Sequence, residues 1–77
     1  MQITIPSPAD IRSARIAAGL TQAQAADMVY LGAPERWTEY ESGTRNIGRA
    51  RWALFLLRAG LITLRELARE VTSTERK

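Results

Sequence analysis

The densest run of charged and aromatic side chains is ERWTEYESGTR, residues 35–45. At a helical period Glu35 and Glu39 fall four apart on one face, with Arg36 and Thr38 beside them. Trp37 and Tyr40, three apart, fall on the other side and suit a core. The exposed set offers one forked donor, two acceptor-only carboxylates and a hydroxyl. That is chemistry for reading hydrogen-bonding groups on another molecule. Bond-making chemistry is poorly served. The chain has no histidine and no cysteine, which excludes imidazole acid–base work, thiol nucleophiles, disulfides and Cys/His zinc sites. A carboxylate enzyme would need clustered acids, yet Asp10, Asp27 and the glutamates of 35–41 fall on different faces. No enzyme activity, metal or cofactor is expected.

Charge gives a second focus. Residues 1–44 carry three arginines (Arg12, Arg15, Arg36) against five acids, whereas residues 45–77 carry eight basic groups against three acids. Within RNIGRAR, residues 45–51, three arginines meet no acid. Such density suits a polyanion, although a solvated helix start has the same composition.

The elements that must position these residues are helical throughout. Ser7, Pro8 and Asp10 open a first helix that Gly19 ends. Thr21 and Gln24 form a capping box for a second, running to about Tyr30. After the turn Leu31-Gly32-Ala33, Pro34 opens a third, which ends near Ser42 with Gly43 as its stop. A loop, Thr44 to Gly48, leads to a fourth helix over about Arg49–Ala59, stopped by Gly60. Thr63 and Glu66 cap a fifth, about 63–72, with Leu61 or Ile62 placed to staple onto Leu67. The expected core is Ile11, Ala14 and Ala18 with Ile16 nearby; Ala26 and Val29 with Ala25 and Gln22 alongside; Trp37 and Tyr40; Ile47; Trp52, Phe55, Leu56 and Ala59; and Leu64, Leu67 and Val71. Gln2–Ile5 alternates but is too short for a sheet alone; it could pair with a second copy. The expectation is one all-α domain of five helices over 1–77. A chain this small buries only about 60% of its unfolded surface, which favours self-association.

The spacing of these residues resembles that of a known family. Gly19-Leu20-Thr21-Gln22-Ala23-Gln24, then Ala26 and Trp37, then Tyr40-Glu41-Ser42-Gly43-Thr44-Arg45 is similar to the helix-turn-helix domain of Cro/repressor-like regulators, small phage or plasmid types among them. The likeness covers about residues 8–60 and implies a lambda-repressor-like fold, with the helix-turn-helix at about 21–42. The chain departs from the family in two ways: the turn between Ala26 and Trp37 is one residue longer, and Ala33 followed by Pro34 replaces the usual capping serine or threonine.

The resemblance implies a double-stranded DNA partner, with the second helix across the phosphate backbone and helix 34–42 in the major groove. Gln22 matches a phosphate-binding glutamine. Arg45 and Asn46 match the backbone-contacting loop, with Thr44, Arg49 and Arg51 alongside. Arg36 and Glu39, then Glu35 and Thr38, are left to read bases, arginine gripping guanine and a carboxylate accepting from cytosine. The alternative for each glutamate is a solubilising surface residue, and for Glu35 that reading stands equal. Arg15 and Glu41 match an inward ion pair of structural purpose. Trp37 and Trp52 could stack on bases, but their helical spacing assigns them to the core.

The function implied is a cytoplasmic transcriptional regulator, a repressor or autorepressor at an operator. It would act as a homodimer through helix 61–71, or as a monomer with that helix folded back. A protein-binding module, such as an antitoxin on the same fold, is the alternative. No small-molecule ligand is expected. No basic, apolar leader is visible at the start, and the longest apolar run, WALFLL, is too short for a membrane span.

Overall fold

The computed structural model describes residues 5–68. Among them the chain forms α1 (Pro8–Ala17), α2 (Gln22–Met28), α3 (Pro34–Ser42), α4 (Arg49–Arg58) and α5, described over 64–68, with no strand. The protein is all-α over this range.

Each start has a chemical cause. Ser7 and Asp10, Thr21 and Gln24, and Thr63 and Glu66 exchange reciprocal side-chain and backbone hydrogen bonds of 2.8–3.1 Å. Each pair satisfies two backbone N–H groups that the first turn would otherwise leave open. α3 differs. Its N-cap, Ala33, has no side chain to offer. Pro34 at the first position compensates, since it has no N–H to satisfy and its φ is already helical.

Three helices end in the same way. Leu20 N–H returns to Arg15 O, Leu31 N–H to Ala26 O and Leu61 N–H to Leu56 O, each at 2.9–3.1 Å. The preceding residue is left-handed each time, as a Schellman cap requires. At α1 and α4 that residue is glycine, but at α2 it is Tyr30, with φ of 60°. A side chain there costs roughly 1–2 kcal/mol of backbone strain. Arg58 offsets part of it: its guanidinium lies 4.8 Å from the Tyr30 ring centroid and donates to Met28 O at 3.2 Å. The turn between α2 and α3 is thus set just after α2, and α3 has the register that puts Trp37 and Tyr40 inside.

The core gathers around α3. It packs against α1 and α2, while α4 packs against α2. Ala25 and Ala26 are fully covered, and their small size lets backbones approach where helices cross. Bulk comes from aromatics: Trp37 meets Phe55 at 4.8 Å between centroids and Tyr40 edge-on at 5.8 Å, and Phe55 stacks on Trp52 at 5.8 Å. Both tryptophans are buried, as is Ile47 from the loop.

Two expected core residues lie outside. Ile16 is 56% exposed, because it sits more than a quarter turn away from the buried Ile11, Ala14 side of α1. Leu64 is 68% exposed. Ile62, just before the Thr63 cap, fills the core position, and Leu67 packs against the same cluster, so the staple uses Ile62 and leaves Leu61 and Leu64 outward. The alternating stretch Gln2–Ile5 lies, but for exposed Ile5, outside the described residues. So does the expected helix beyond 68, Val71 with it. No helix among the described residues is long and apolar enough to cross a membrane.

Phe55 has no exposed surface and touches both tryptophans. Phe55→Ala is expected to cost about 3–5 kcal/mol, read as a lowered urea midpoint with an unchanged slope.

Candidate functional site

The site is organised by one carboxylate. Glu41 projects from the last turn of α3 and is almost wholly covered, its side chain 8% exposed. Four hydrogen bonds converge on it from three helices. Arg15 of α1 donates from Nε to Oε2 at 2.6 Å and from Nη2 to Oε1 at 3.3 Å. Gln22 of α2 donates from Nε2 to Oε1 at 3.2 Å, and Trp37, one turn earlier on α3, donates from Nε1 to Oε2 at 2.6 Å. Arg15 also donates from Nη1 to Leu20 O at 3.0 Å, which fixes the guanidinium plane. Burial pushes the Glu41 carboxyl up, but the hydrogen bonds from Arg15, Trp37 and Gln22, together with the Arg15 charge, outweigh it and hold the group below its ordinary value.

The network decides which way α3 faces. With Trp37, Tyr40 and Glu41 turned in, Glu35, Arg36 and Thr38 are exposed and Glu39 is half-buried. These are the four positions that the family resemblance assigns to base reading, and they do share the outer side of α3. Their surroundings differ. Among the described residues no side-chain partner is found for Glu35 or Arg36. The Thr38 hydroxyl donates to Gln22 Oε1 at 3.3 Å. Glu39 accepts from Arg45 Nε at 2.8 Å, and Arg45 N–H returns to Glu39 O at 3.2 Å. An expected base reader and an expected phosphate binder are therefore paired with each other. The pair is exposed, so it orients the two side chains more than it stabilises the fold. The hydrogen bond to Glu39, and then its charge, raise the Arg45 guanidinium's proton affinity.

The expected phosphate-binding residues divide similarly. Gln22 is turned inward, with one amide hydrogen on Glu41 and its carbonyl on Thr38; its second amide hydrogen is not used by either bond. Thr44 shares a 2.9 Å hydrogen bond with Ser42. Asn46 accepts from Gly48 N–H through Oδ1 at 3.0 Å, which shapes the loop and leaves the amide NH2 group as its donor. Arg49 opens α4. Arg51 donates from Nη1 to Tyr40 OH at 3.0 Å, satisfying a phenol at the edge of the core. The α4 N-cap is Gly48, which supplies no side-chain cap, and the first turn contains no acid. The positive end of its dipole thus adds to the charge of Arg45, Arg49 and Arg51 around it.

Arg12 was not singled out in the sequence. It lines a shallow, open cleft with Arg15, Gln22, Thr38, Glu41 and Ser42, between the first three helices. Its position four before Ile16 on an exposed side of α1 gave no sign of this; only the crossing of α1 and α3 brings it there. Among the described residues no group of His, Cys, Asp or Glu could hold a metal ion. No known family model matches the chain, and no curated protein matches it.

Because the folded Glu41 carboxyl lies below the ordinary value of 4.5, its ionised form favours the folded state at pH above that value. The contribution disappears as pH falls through the lowered, folded-state value. Glu41→Gln is expected to cost about 3 kcal/mol near neutrality, since Arg15 loses its buried partner. The gap from the unaltered protein should narrow on acidification below pH 4.5, followed by urea midpoints from pH 7 to 3. A gap that stays constant would assign the loss to packing alone.

Proposed function

We propose that this chain is a sequence-specific, double-stranded DNA-binding transcriptional regulator of the Cro/repressor-like helix-turn-helix type, with a lambda-repressor-like fold. The observation that carries the reading is the outer side of α3. It presents Glu35, Arg36, Thr38 and Glu39 while its inner side is locked by Glu41, and a basic loop and helix start, Arg45 to Arg51, follow directly. A helix of this size fits the major groove, and an arginine there grips guanine O6 and N7 at about 1–3 kcal/mol of discrimination. The loop and the α4 N-terminus suit backbone phosphates. The protein would act in the cytoplasm, without enzymatic activity or cofactor, as a repressor that occupies an operator, its own among the candidates. Control would follow protein concentration.

Two copies would bind a two-fold site with half-sites about 34 Å apart. Leu61 and Leu64, exposed on the C-terminal side, support pairing there. The same two leucines are the observation that favours the second reading, a module that docks a partner protein as an antitoxin does. Leu64→Glu is expected to shift sedimentation equilibrium from dimer toward monomer and to weaken binding to a two-fold operator much more than to a half-site. A dimer that survives the change would place the contact elsewhere.

The direct test is fluorescence anisotropy with DNA from upstream of the protein's own gene against scrambled DNA, at two salt concentrations. Arg36→Ala should remove most of the preference for the upstream site. Arg45→Ala should weaken both DNAs alike and lower the salt slope by about one. Equal, weak binding to both DNAs by the unaltered protein would overturn the reading in favour of a protein partner.

A further inference from the structure

The buried carboxylate also sets the hydrogen-bonding polarity of a residue on the outer side of α3. An ionised carboxylate only accepts. Glu41 is held in that form, so the Gln22 group facing it at 3.2 Å must be the NH2 end. The Gln22 carbonyl is thereby the end that meets Thr38. A carbonyl oxygen also only accepts, so the Thr38 hydroxyl must donate its single proton to Gln22, at 3.3 Å. The amide cannot flip without setting its carbonyl against the carboxylate and its NH2 against the hydroxyl. Thr38 is exposed, and what it has left for a ligand is oxygen lone pairs alone.

An isolated threonine is ambiguous, since its hydroxyl donates or accepts as the base requires. Here the ambiguity is removed by a chain of three groups running from the buried ion pair to the surface. We propose, resting on the DNA-binding reading above, that Thr38 is a specificity-determining residue restricted to accepting a hydrogen bond. Its target is an exocyclic amino group in the major groove, N6 of adenine or N4 of cytosine. Bases that present only an acceptor there, guanine O6 or thymine O4, are disfavoured. Gln22 is the positioning residue that imposes the restriction.

The test selects bound duplexes from a random-sequence pool with the unaltered protein, Thr38→Val, Thr38→Ser and Gln22→Met, each first shown by thermal melting to be folded. The unaltered protein and Thr38→Ser should enrich adenine or cytosine at one position of the site. Thr38→Val should flatten that position and leave the others. Gln22→Met should let guanine or thymine enter there, because the freed hydroxyl can then donate. Replacing the preferred base by purine, if it is adenine, or by 2-pyrimidinone, if it is cytosine, deletes only the amino group and tells the two apart. The deletion should weaken the unaltered protein about fivefold, the size of one ordinary hydrogen bond, and leave Thr38→Val unchanged, a coupling that a merely structural role would not produce. An amino-group deletion that leaves the unaltered protein's affinity unchanged would overturn the inference, as would a pool in which Thr38→Val alters no position. A pool with no enriched sequence for the unaltered protein would overturn the DNA-binding reading itself.

Discussion

A single ionised carboxylate at the junction of three helices holds this fold together. Burying a charge costs several kcal/mol unless its lone pairs are occupied. Glu41 meets that condition with four hydrogen bonds, from Arg15 on α1, Gln22 on α2 and Trp37 on α3. The interactions are directional, and this matters in a small domain whose α1 and α2 interfaces are built largely from alanine. Alanine surfaces slide past one another at little cost, whereas a forked guanidinium on a carboxylate admits few geometries. The rotation of α3 about its axis follows from this contact.

The aromatic cluster supplies what the ion pair cannot. Trp37 belongs to both systems, its indole N–H on Glu41 and its ring against Phe55 and Tyr40. The polar anchor and the apolar core therefore share one side chain. The turns on either side of α3 contain left-handed residues, Tyr30 just after α2 and Gly43 at the α3 C-cap. Gly43 reverses the chain so that Arg45 returns to Glu39, six residues earlier. Tyr30 does the same work at the turn between α2 and α3 and carries a strain that the Arg58 contact partly relieves.

On the proposed reading, the charge distribution suits a discriminating surface more than a sticky one. The outer side of α3 carries two carboxylates and Arg36, and Arg45, Arg49 and Arg51 lie beyond its C-terminal end. On the proposed reading, phosphates draw the protein in through the loop and α4, while the carboxylates repel any groove that does not return a hydrogen bond. On that reading the Glu39–Arg45 pair joins the two functions, since Arg45 gives its Nε to the carboxylate and keeps its other N–H groups for a phosphate.

Local chemistry was legible in the sequence. Ser7, Thr21 and Thr63 cap helices because their oxygens reach backbone N–H groups three residues on, and Gly19, Gly43 and Gly60 end helices because they alone adopt a left-handed turn without strain. The bounds of α3, its buried Trp37 and Tyr40, and the pairing of Arg15 with Glu41 follow from such patterns and from the motif spacing. Tertiary structure alone decided the rest. Ile16 and Leu64 are exposed because core membership depends on where a neighbouring helix passes, which periodicity within one helix does not contain. Gln22 turned inward because Glu41 of another helix offered a stronger acceptor than water. Glu39 met Arg45 because a left-handed glycine bent the chain between them. A sequence states what each side chain can donate or accept; which partner takes up that capacity is set by the packing of helices distant in the chain, and here that packing gave Thr38 its proton's direction.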